Sequence, residues 1–264
     1  RCGVMTIKSP RLQAAPTFLD LGGIAARDGR KVRAGHVFRA GHLLSPATAE
    51  AEAIRHLGLR RVFDLRSADE RTRQPSTWAG FSGARTVDCD VNTDVRSGHA
   101  NLLHLLEEDL GESGAHEMML HTYRNFSLGF AGQLRVLFDA LLDEEGLPLL
   151  VHCTAGKDRT GFACAMLLHA LDVDETQIFA DYLATGDVLI GGPIAAATQE
   201  LLAGFLGRPP TPPAIDLIMS VRREFLETAF ATVRDEYGSI ENFLEQAGGM
   251  DASRREALRQ RLLE

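Results

Sequence analysis

The sequence predicts an α/β fold in a single domain, residues 1–264, in which a central, mostly parallel, twisted sheet has helices on both faces. Short apolar runs typical of buried strands alternate with longer helical patterns, and this alternation favours a parallel sheet. The strand-like run at 148–152 is followed by a stretch from Arg159 to Leu171 that is apolar on all sides, as expected of a central buried helix. A hydrophobic content of 45% in 264 residues is enough for one sizeable core.

Five short segments are predicted as strands or extended chain, because they are apolar and bounded by turn signals. They are residues 18–23, 36–39, 60–65, 85–89 and 148–152. Ser45 and Pro46 have the form of a helix N-cap and a proline at the first helical position. A helix is therefore expected from there to about His56.

Helices are expected to fill most of the chain after a predicted loop at residues 92–98. The first predicted helices lie at 99–110, 115–126, 130–143 and 159–171. Asp174 and Gln177 have the spacing of a capping box, so another helix is expected to begin there. Residues 214–264 have the pattern of three helices, the last two capped by Ser239 and Asp251.

Residues 186–213 differ in composition from their surroundings. Clusters of glycine and proline bound the segment at both ends, and an apolar helical stretch to Leu206 lies between them. Stiff, proline-rich ends are typical of an element inserted on hinges.

The charge and composition exclude several classes of protein. A net charge of −8 gives no general attraction for nucleic acid or anionic lipid, so an anionic substrate needs a local basic pocket. The nine histidines lack the spacing of metal ligands, and neither a metal nor a cofactor is expected. Residues 1–6 have no signal-peptide core and no apolar run is long enough to span a bilayer. These features predict a cytoplasmic protein or one exported without a classical signal peptide.

The four cysteines match neither a zinc pattern nor a dense disulfide framework, which indicates reduced thiols. They are Cys2, Cys89, Cys153 and Cys164. Cys164 lies on the apolar helix and is interpreted as a packing residue. A disulfide between Cys89 and Cys153 after oxidation is a less favoured alternative.

The segment His152-Cys-Thr-Ala-Gly-Lys-Asp-Arg-Thr-Gly161 carries the strongest functional signal. A strand leads into a short loop and then a helix, with cysteine at the strand end and arginine six residues later. Backbone N–H groups ahead of a helix bind a phosphate dianion, and an arginine fork holds two of its oxygens. A phosphate-like anion is therefore expected in this loop. The predicted phosphate loop comprises Thr154, Ala155, Gly156, Lys157 and Thr160.

Cys153 is the predicted nucleophile of this loop. A free thiol has a pKa of about 8.5, and a helix N-terminus with nearby cations lowers that pKa to about 3.5–7.5, which gives the reactive thiolate. Attack on phosphorus forms a phosphocysteine, which water then hydrolyses. Thr160 is placed to donate a hydrogen bond to the departing sulfur, and His152 to hold the loop or the Cys153 backbone through its ring N–H.

Three other interpretations of the loop are less favoured. A buried core thiol near a surface arginine does not account for the accompanying His152, Gly156 and Thr160. A nucleotide-binding loop is excluded, because Gly156-Lys157 is followed by aspartate and no glycine lies five residues before Gly156. Persulfide transfer and arsenate reduction also use cysteine loops, but Lys, Asp, Arg and Thr together favour phosphate chemistry.

The loop resembles that of the bacterial tyrosine phosphatases with the signature H-C-x-x-G-K-D-R-T-G, and the similarity extends over nearly the whole chain. Thr17 and Leu19 depart from the family's N-F-R-D-L-G-G opening. The matching segments are Phe18–Gly23, Val37–Gly41, Asp64–Ser67, Ala180–Leu183, Val221–Arg222 with Glu224, and Tyr237–Ser239. This resemblance implies the tyrosine-phosphatase fold, a helical lid at about residues 186–218, and hydrolysis of phosphotyrosine in proteins.

Expulsion of the tyrosine oxygen requires a proton donor. The resemblance places acidic candidates at Asp158, inside the loop, and at Asp64, at the end of a neighbouring strand. Asp158 is preferred, since Asp64 has the alternative roles of orienting Arg159 or pairing with the arginine two residues later. Asp90 and Asp94, on the loop after the fourth strand, are the mobile-loop alternative, although a solvated loop charge is the favoured interpretation of both.

Lys157 bears on the substrate range. As a second cation beside Arg159 it would reach a second phosphate, and lipid phosphatases of the tensin type resemble this loop in having lysine at that position. In the alternative, Lys157 pairs with a carboxylate and shapes the loop. The predicted function is hydrolysis of phosphotyrosine, with phosphoserine, phosphothreonine and phosphoinositides as further candidate substrates. An inactive phosphoprotein-binding module is the rival from another class, and an enzyme acting mainly on phosphoinositides is a second rival.

Overall fold

Five short strands form the sheet of the computed structural model, which describes residues 12–91 and 100–264. They are β1 (Leu19–Asp20), β2 (Val37–Ala40), β3 (Arg61–Asp64), β4 (Arg85–Asp88) and β5 (Leu149–His152). Their order is β1-β2-β5-β3-β4; β1 is antiparallel to β2 and the other neighbours are parallel. The predicted α/β fold with a mostly parallel sheet is therefore confirmed.

Helices make up most of the remaining described residues. They are α1 (Thr48–His56), α2 (Ala68–Arg73), α3 (Trp78–Ser82), α4 (Ala100–Glu108), α5 (Glu112–Arg124), α6 (Phe126–Phe130), α7 (Gln133–Leu142), α8 (Asp158–Ala170), α9 (Glu175–Leu183), α10 (Pro193–Leu206), α11 (Pro212–Met219), α12 (Arg223–Tyr237), α13 (Ile240–Gln246) and α14 (Ala252–Leu262).

Both faces of the sheet are buried, because successive side chains of a strand point to opposite faces. On one face, Phe38, Val62 and Leu150 pack in a cluster with Ile54 of α1 and Trp78 of α3. The intervening strand residues belong to a larger cluster with the helices from α4 onward; they are Val37, Phe63, Leu149 and Val151. Helix α8 lies within this larger cluster, and almost all of its residues are buried, as its all-apolar pattern predicts.

Several predicted helix boundaries are wrong. Helix α5 begins at Glu112 rather than at 115, and the helix predicted at 130–143 begins at Gln133, after the separate short helix α6. Helix α1 begins at Thr48 rather than at Pro46, because the carboxylate of Glu50 accepts the Ala47 N–H at 3.1 Å and so caps the helix two residues later.

The segment from 214 holds four helices rather than three, because the chain leaves the helical conformation at residues 220–222, between α11 and α12. Helix α11 begins at Pro212, with Thr211 as its N-cap. Prolines there occupy the first helical turn, where their missing N–H costs nothing.

Three other helix N-caps lie at the residues that the sequence predicts. Ser239 and Asp251 accept hydrogen bonds from backbone N–H groups of the first turns of α13 and α14. Asp174 caps α9, but Gln177 exchanges hydrogen bonds with the backbone of Ala25 and so joins α9 to the N-terminal part of the chain.

Three predictions concern residues outside the described ranges: Cys2, the loop at 92–98 and Asp94. Within the described ranges, no helix is both long and apolar enough to cross a membrane.

Candidate active site

The cysteine loop lies at the carboxyl ends of the parallel strands β2, β3 and β5. Ala40 of β2 and Asp64 of β3 are both in register with His152 of β5. Cys153 follows directly and is 0% exposed, and the Gly156 N–H donates a hydrogen bond to its Sγ at 3.2 Å. Helix α8 begins at Asp158, so its N-terminus adjoins the loop.

A close approach of two glycines shapes the loop. Gly156 has φ +77°, and a Cβ at this position would lie 2.3 Å from the Gly41 nitrogen. Thr17 donates a hydrogen bond to the Ala155 carbonyl at 3.1 Å, and the His42 N–H donates to the Thr154 carbonyl at 2.9 Å. Glycine is therefore required at 156 both by backbone angle and by space.

A buried arginine supports the loop from behind. Arg39 Nη1 lies 2.6 Å from the carboxylate of Asp181, while Nη2 donates to the Gly156 carbonyl at 3.2 Å and to Thr185 Oγ1 at 3.3 Å. Arg39 and Asp181 belong to two of the segments that resemble the family. Their side chains connect β2 and α9 to the loop.

Arg159 is held by Glu70, a residue that the sequence interpretation missed. Its Nη1 and Nη2 atoms each lie 2.7 Å from an oxygen of the Glu70 carboxylate, and both side chains are almost fully buried. Thr154 Oγ1 also donates to Glu70, at 2.7 Å, and the Ser67 N–H donates at 2.9 Å. The spacing Ser67-x-x-Glu70 is a capping box for α2, and that was the available signal.

Replacement of Glu70 by glutamine is expected to lower kcat/KM for phosphate monoesters about 10- to 100-fold. Glutamine has one acceptor oxygen and no charge, so the two-point contact with Arg159 is lost, and a hydrogen bond to a charged group is worth about 1.5–3 kcal/mol. Steady-state kinetics together with thermal unfolding would check this.

The matched control is Glu227→Gln, because Glu227 pairs with Arg223 on the exposed surface of α12. Such pairs contribute little. If Glu70→Gln retained kcat/KM within about twofold of wild type, Glu70 would not be needed to orient Arg159.

Asp158 is at the first position of α8 and is buried with polar partners nearby. Lys157 Nζ and Tyr123 Oη each donate a hydrogen bond to its Oδ1, both at 2.7 Å. Lys157 is 1% exposed. Its contact with Asp158 is the carboxylate pairing that the sequence offered as an alternative to a contact with a second phosphate.

Asp64 forms a buried ion pair with Arg66 and lies close to His152. Arg66 Nε and Nη2 contact the two carboxylate oxygens of Asp64 at 2.8 and 2.7 Å. Burial opposes the charged carboxylate, but the hydrogen bonds and charge of Arg66 hold the pKa of Asp64 below its ordinary value. Asp64 thus stays ionised at neutral pH in this arrangement.

His152 contacts groups on two sides. Its Nδ1 lies 3.1 Å from the Cys153 carbonyl, and its Nε2 lies 3.1 Å from Ser76 Oγ and 3.6 Å from the Asp64 carboxylate. Burial lowers the pKa of His152 despite the nearby Asp64. In the neutral ring with its proton on Nδ1, this nitrogen donates to the carbonyl of Cys153, because a carbonyl oxygen only accepts hydrogen bonds.

The comparisons with known proteins bear on this loop and its surroundings. A model of the tyrosine phosphatase family matches residues 10–264, which is nearly the whole chain. The chain belongs to the tyrosine phosphatase family. It is thus a phosphatase, a hydrolase of phosphoric monoesters, and the family resemblance found in the sequence is confirmed.

Named relatives agree with this assignment. The phosphatase is 30% identical over 241 residues to a putative tyrosine-protein phosphatase of Cupriavidus necator, with 89% of this chain and 82% of the relative covered. It is also 30% identical over 242 residues to the triple specificity protein phosphatase PtpB of Mycobacterium tuberculosis, with coverage of 82% and 87% respectively. A tyrosine-protein phosphatase of Nostoc commune is 26% identical over 145 residues, which cover 55% of this chain and 46% of that protein.

The other described cysteines of the phosphatase differ from Cys153 in their surroundings. Burial raises the pKa of both Cys89 and Cys164 to about 12. Both remain thiols at neutral pH and are poor nucleophiles. Asp90, the described member of the mobile-loop alternative, forms an ion pair with Arg71 and is partly exposed.

A pocket of about 160 Å³ lies beside the loop of the phosphatase. One wall contains Thr154 and Glu70, and the other is formed by Ile194, Ala197 and Leu201 on one face of α10. Helix α10 belongs to the segment 186–213, which the sequence composition predicts to be an inserted element.

Proposed function

We propose that this phosphatase hydrolyses phosphotyrosine in proteins through a phosphocysteine formed on Cys153. The observation that carries the proposal is the cradle around the sulfur: the Gly156 N–H is 3.2 Å from Sγ, and Arg159 lies at the start of α8 with its guanidinium held by Glu70. Donors arranged in this way bind the three oxygens of a phosphoryl group as it passes to the thiolate.

The chemistry has two steps. In the first, Cys153 Sγ forms a bond to phosphorus, the bond to the tyrosine oxygen breaks, and Asp158 supplies the proton that this oxygen takes up. In the second, water attacks phosphorus and gives a proton to the Asp158 carboxylate left by the first step, while the bond between phosphorus and Sγ breaks and the sulfur leaves as the thiolate. Thr160 Oγ1 is buried and makes no hydrogen bond within the part of the chain that the structure describes, which supports its proposed role as a donor to the departing sulfur.

The substrate range is proposed to extend beyond phosphotyrosine to phosphoserine and phosphothreonine. The printed name of the mycobacterial relative, a triple specificity protein phosphatase, supports this range. Phosphoinositides are a second candidate class that rests on Lys157. The pairing of Lys157 with Asp158 supports the alternative in which this lysine shapes the loop.

A substrate panel tests the proposal. Wild-type protein would be assayed with a chromogenic aryl phosphate, phosphotyrosine, phosphoserine and phosphothreonine peptides, and phosphoinositides side by side. Turnover of the aryl phosphate and the phosphotyrosine peptide is expected. Binding of these substrates without turnover would support the inactive binding module instead, and turnover of phosphoinositides alone would overturn the assignment of protein substrates.

Residues 186–218 are proposed as a lid on a single catalytic unit. The pocket between α10 and Thr154, together with the complete burial of Cys153, supports a cover that must move for a protein substrate to enter. Glycines at 186 and 191 with positive φ lie ahead of α10, and Gly207 with positive φ lies behind it, so both ends have backbone suited to a hinge.

A charge placed on the inner face of the lid is expected to expose Cys153 to oxidants. Leu201→Glu replaces part of the apolar wall of the pocket with a charged side chain that loses its hydration when α10 is closed, so the closed position of α10 becomes less stable. The rate at which peroxide oxidises Cys153 should rise about threefold or more, since oxidation follows access to the thiolate. Mass spectrometry of the modified peptide would measure it.

Phe205→Glu is the control for this experiment, because Phe205 is on the same helix but is 44% exposed. Its oxidation rate should equal that of wild type. Equal rates in the Leu201 variant and wild type would mean that α10 does not limit access to the cysteine.

A further inference from the structure

A chain of buried hydroxyl groups ends on the carboxylate of Asp158. Tyr182 Oη of α9 lies 2.7 Å from Tyr123 Oη of α5, and Tyr123 Oη lies 2.7 Å from Asp158 Oδ1. Each of the three side chains is at most 2% exposed. Neither tyrosine belongs to the cysteine loop, and neither is used in the chemistry proposed above.

The acceptor at the end of this row of hydroxyl groups, Asp158 Oδ1, determines which group donates each hydrogen bond. Oδ1 of Asp158 accepts from both Lys157 and Tyr123, so the proton that Asp158 gives to the leaving group is carried on Oδ2. Tyr123 therefore donates its single proton to Oδ1, and Tyr182 must donate to Tyr123. Burial, followed by the neighbouring charge of Asp158, raises the pKa of Tyr123 well above its ordinary value. Tyr123 therefore remains a donor across the physiological pH range.

Packing fixes the Tyr123 ring in the position that this hydrogen bond needs. Its centroid lies 4.6 Å from that of Phe126 and 5.6 Å from that of Phe225, and the Tyr182 ring meets it edge-on at 6.5 Å. The hydroxyl is thus delivered to Asp158 by a rigid aromatic cluster. A carboxylate held by a fixed donor has fewer accessible rotamers, which favours one geometry for proton transfer.

We propose that Tyr123, itself oriented by Tyr182, is a positioning residue that holds the Asp158 carboxylate for proton transfer to the leaving group. The proposal rests on the proposed function, because it assigns a role to Tyr123 through Asp158 in that reaction. It predicts a kinetic effect that depends on the leaving group, which a residue with only a packing role would not produce.

The test compares Tyr123→Phe with wild type on a series of aryl phosphates whose leaving groups differ in pKa. The ring and its packing are retained and one hydroxyl is removed. We expect kcat for poor leaving groups to fall about 10- to 100-fold, the range for a hydrogen bond to a charged group, with KM and the rate on activated substrates near wild type. Tyr182→Phe, one hydrogen bond further away, is expected to show a smaller loss with the same leaving-group dependence.

Tyr237→Phe is the matched control, since it removes the hydroxyl of the remaining tyrosine of the chain, whose ring packs against Phe243. It should behave as wild type. Thermal unfolding of each variant separates a kinetic effect from a loss of folded protein. If Tyr123→Phe does not fold, Tyr182→Phe carries the test, and an absence of leaving-group dependence in that variant overturns the proposal.

A double-mutant cycle with Asp158→Asn decides whether Tyr123 acts through Asp158. When Asp158→Asn is already in place, removal of the Tyr123 hydroxyl should cost less than about twofold, because the group that it positions no longer transfers a proton. A second loss as large as that in wild type would overturn the proposal, as would a Tyr123→Phe enzyme equal to wild type. A wild-type protein without phosphatase activity would instead overturn the proposed function, and the proposal with it.

Discussion

Replacement of Cys153 by serine is expected to lower turnover of every phosphate monoester by at least about 10³-fold. The alcohol is a far weaker nucleophile than a thiolate at neutral pH, and the proposed mechanism has no second group that could attack phosphorus. The cradle of Gly156 and Arg159 does not depend on the sulfur, so the variant should still bind orthovanadate or inorganic phosphate. Steady-state assays and calorimetric titration would measure the two properties separately.

Cys89→Ser provides the control, because the raised pKa of Cys89 keeps this buried thiol unreactive. Its activity should remain close to that of wild type wherever the variant folds. Retention of more than about 1% of activity by Cys153→Ser would contradict the phosphocysteine mechanism, since no other group is proposed to attack phosphorus.

The catalytic loop could be predicted from sequence because its parts are contiguous. The strand, the cysteine, the glycine with positive φ and the arginine at the helix start follow one another directly along the chain, so local pattern is enough to place them. The sheet could be predicted for a similar reason. Its strands are short and apolar, and burial on both faces follows from alternation with helices.

The supports of the loop could not be predicted in the same way, because they come from distant parts of the chain. Glu70 and Arg159 are 89 residues apart, and Arg39 and Asp181 are 142 apart. Each of these residues has an ordinary local interpretation: Glu70 completes a helix cap, and Asp181 is a charged helical residue. Only the fold brings their carboxylates to buried guanidinium groups. There, loss of either partner would leave a buried charge without compensation.

Helix starts were missed where a tertiary contact overrides a local signal. Ser45-Pro46 has the pattern of a helix cap, yet α1 begins at Thr48, because the Glu50 carboxylate accepts the Ala47 N–H. The same carboxylate accepts the Ala14 N–H from the N-terminal segment, and this tertiary contact fixes its position. The proline-rich composition around Pro212 favours a hinge, but proline is equally suited to the first turn of a helix, and the structure has it there.

Replacement of Asp158 by asparagine is expected to slow hydrolysis of substrates with poor leaving groups about 10²- to 10⁴-fold, the range attributed to a positioned general acid. Phenyl phosphate and phosphotyrosine peptides need a proton on the departing oxygen, whereas a dinitrophenyl phosphate does not. The dependence of kcat on the leaving-group pKa should therefore become steeper in the variant, and the rate on the activated ester should change little.

Asp64→Asn distinguishes the second candidate for the acid. Asp64 is held ionised by Arg66, which makes it a poor proton donor at neutral pH in this arrangement. Its replacement leaves Arg66 buried without its charged partner, so we expect a lower free energy of unfolding and a similar fractional loss of activity on all substrates. If the leaving-group dependence appeared in the Asp64 variant and not in the Asp158 variant, the general acid would be Asp64, and the pairing with Arg66 would have to break during catalysis.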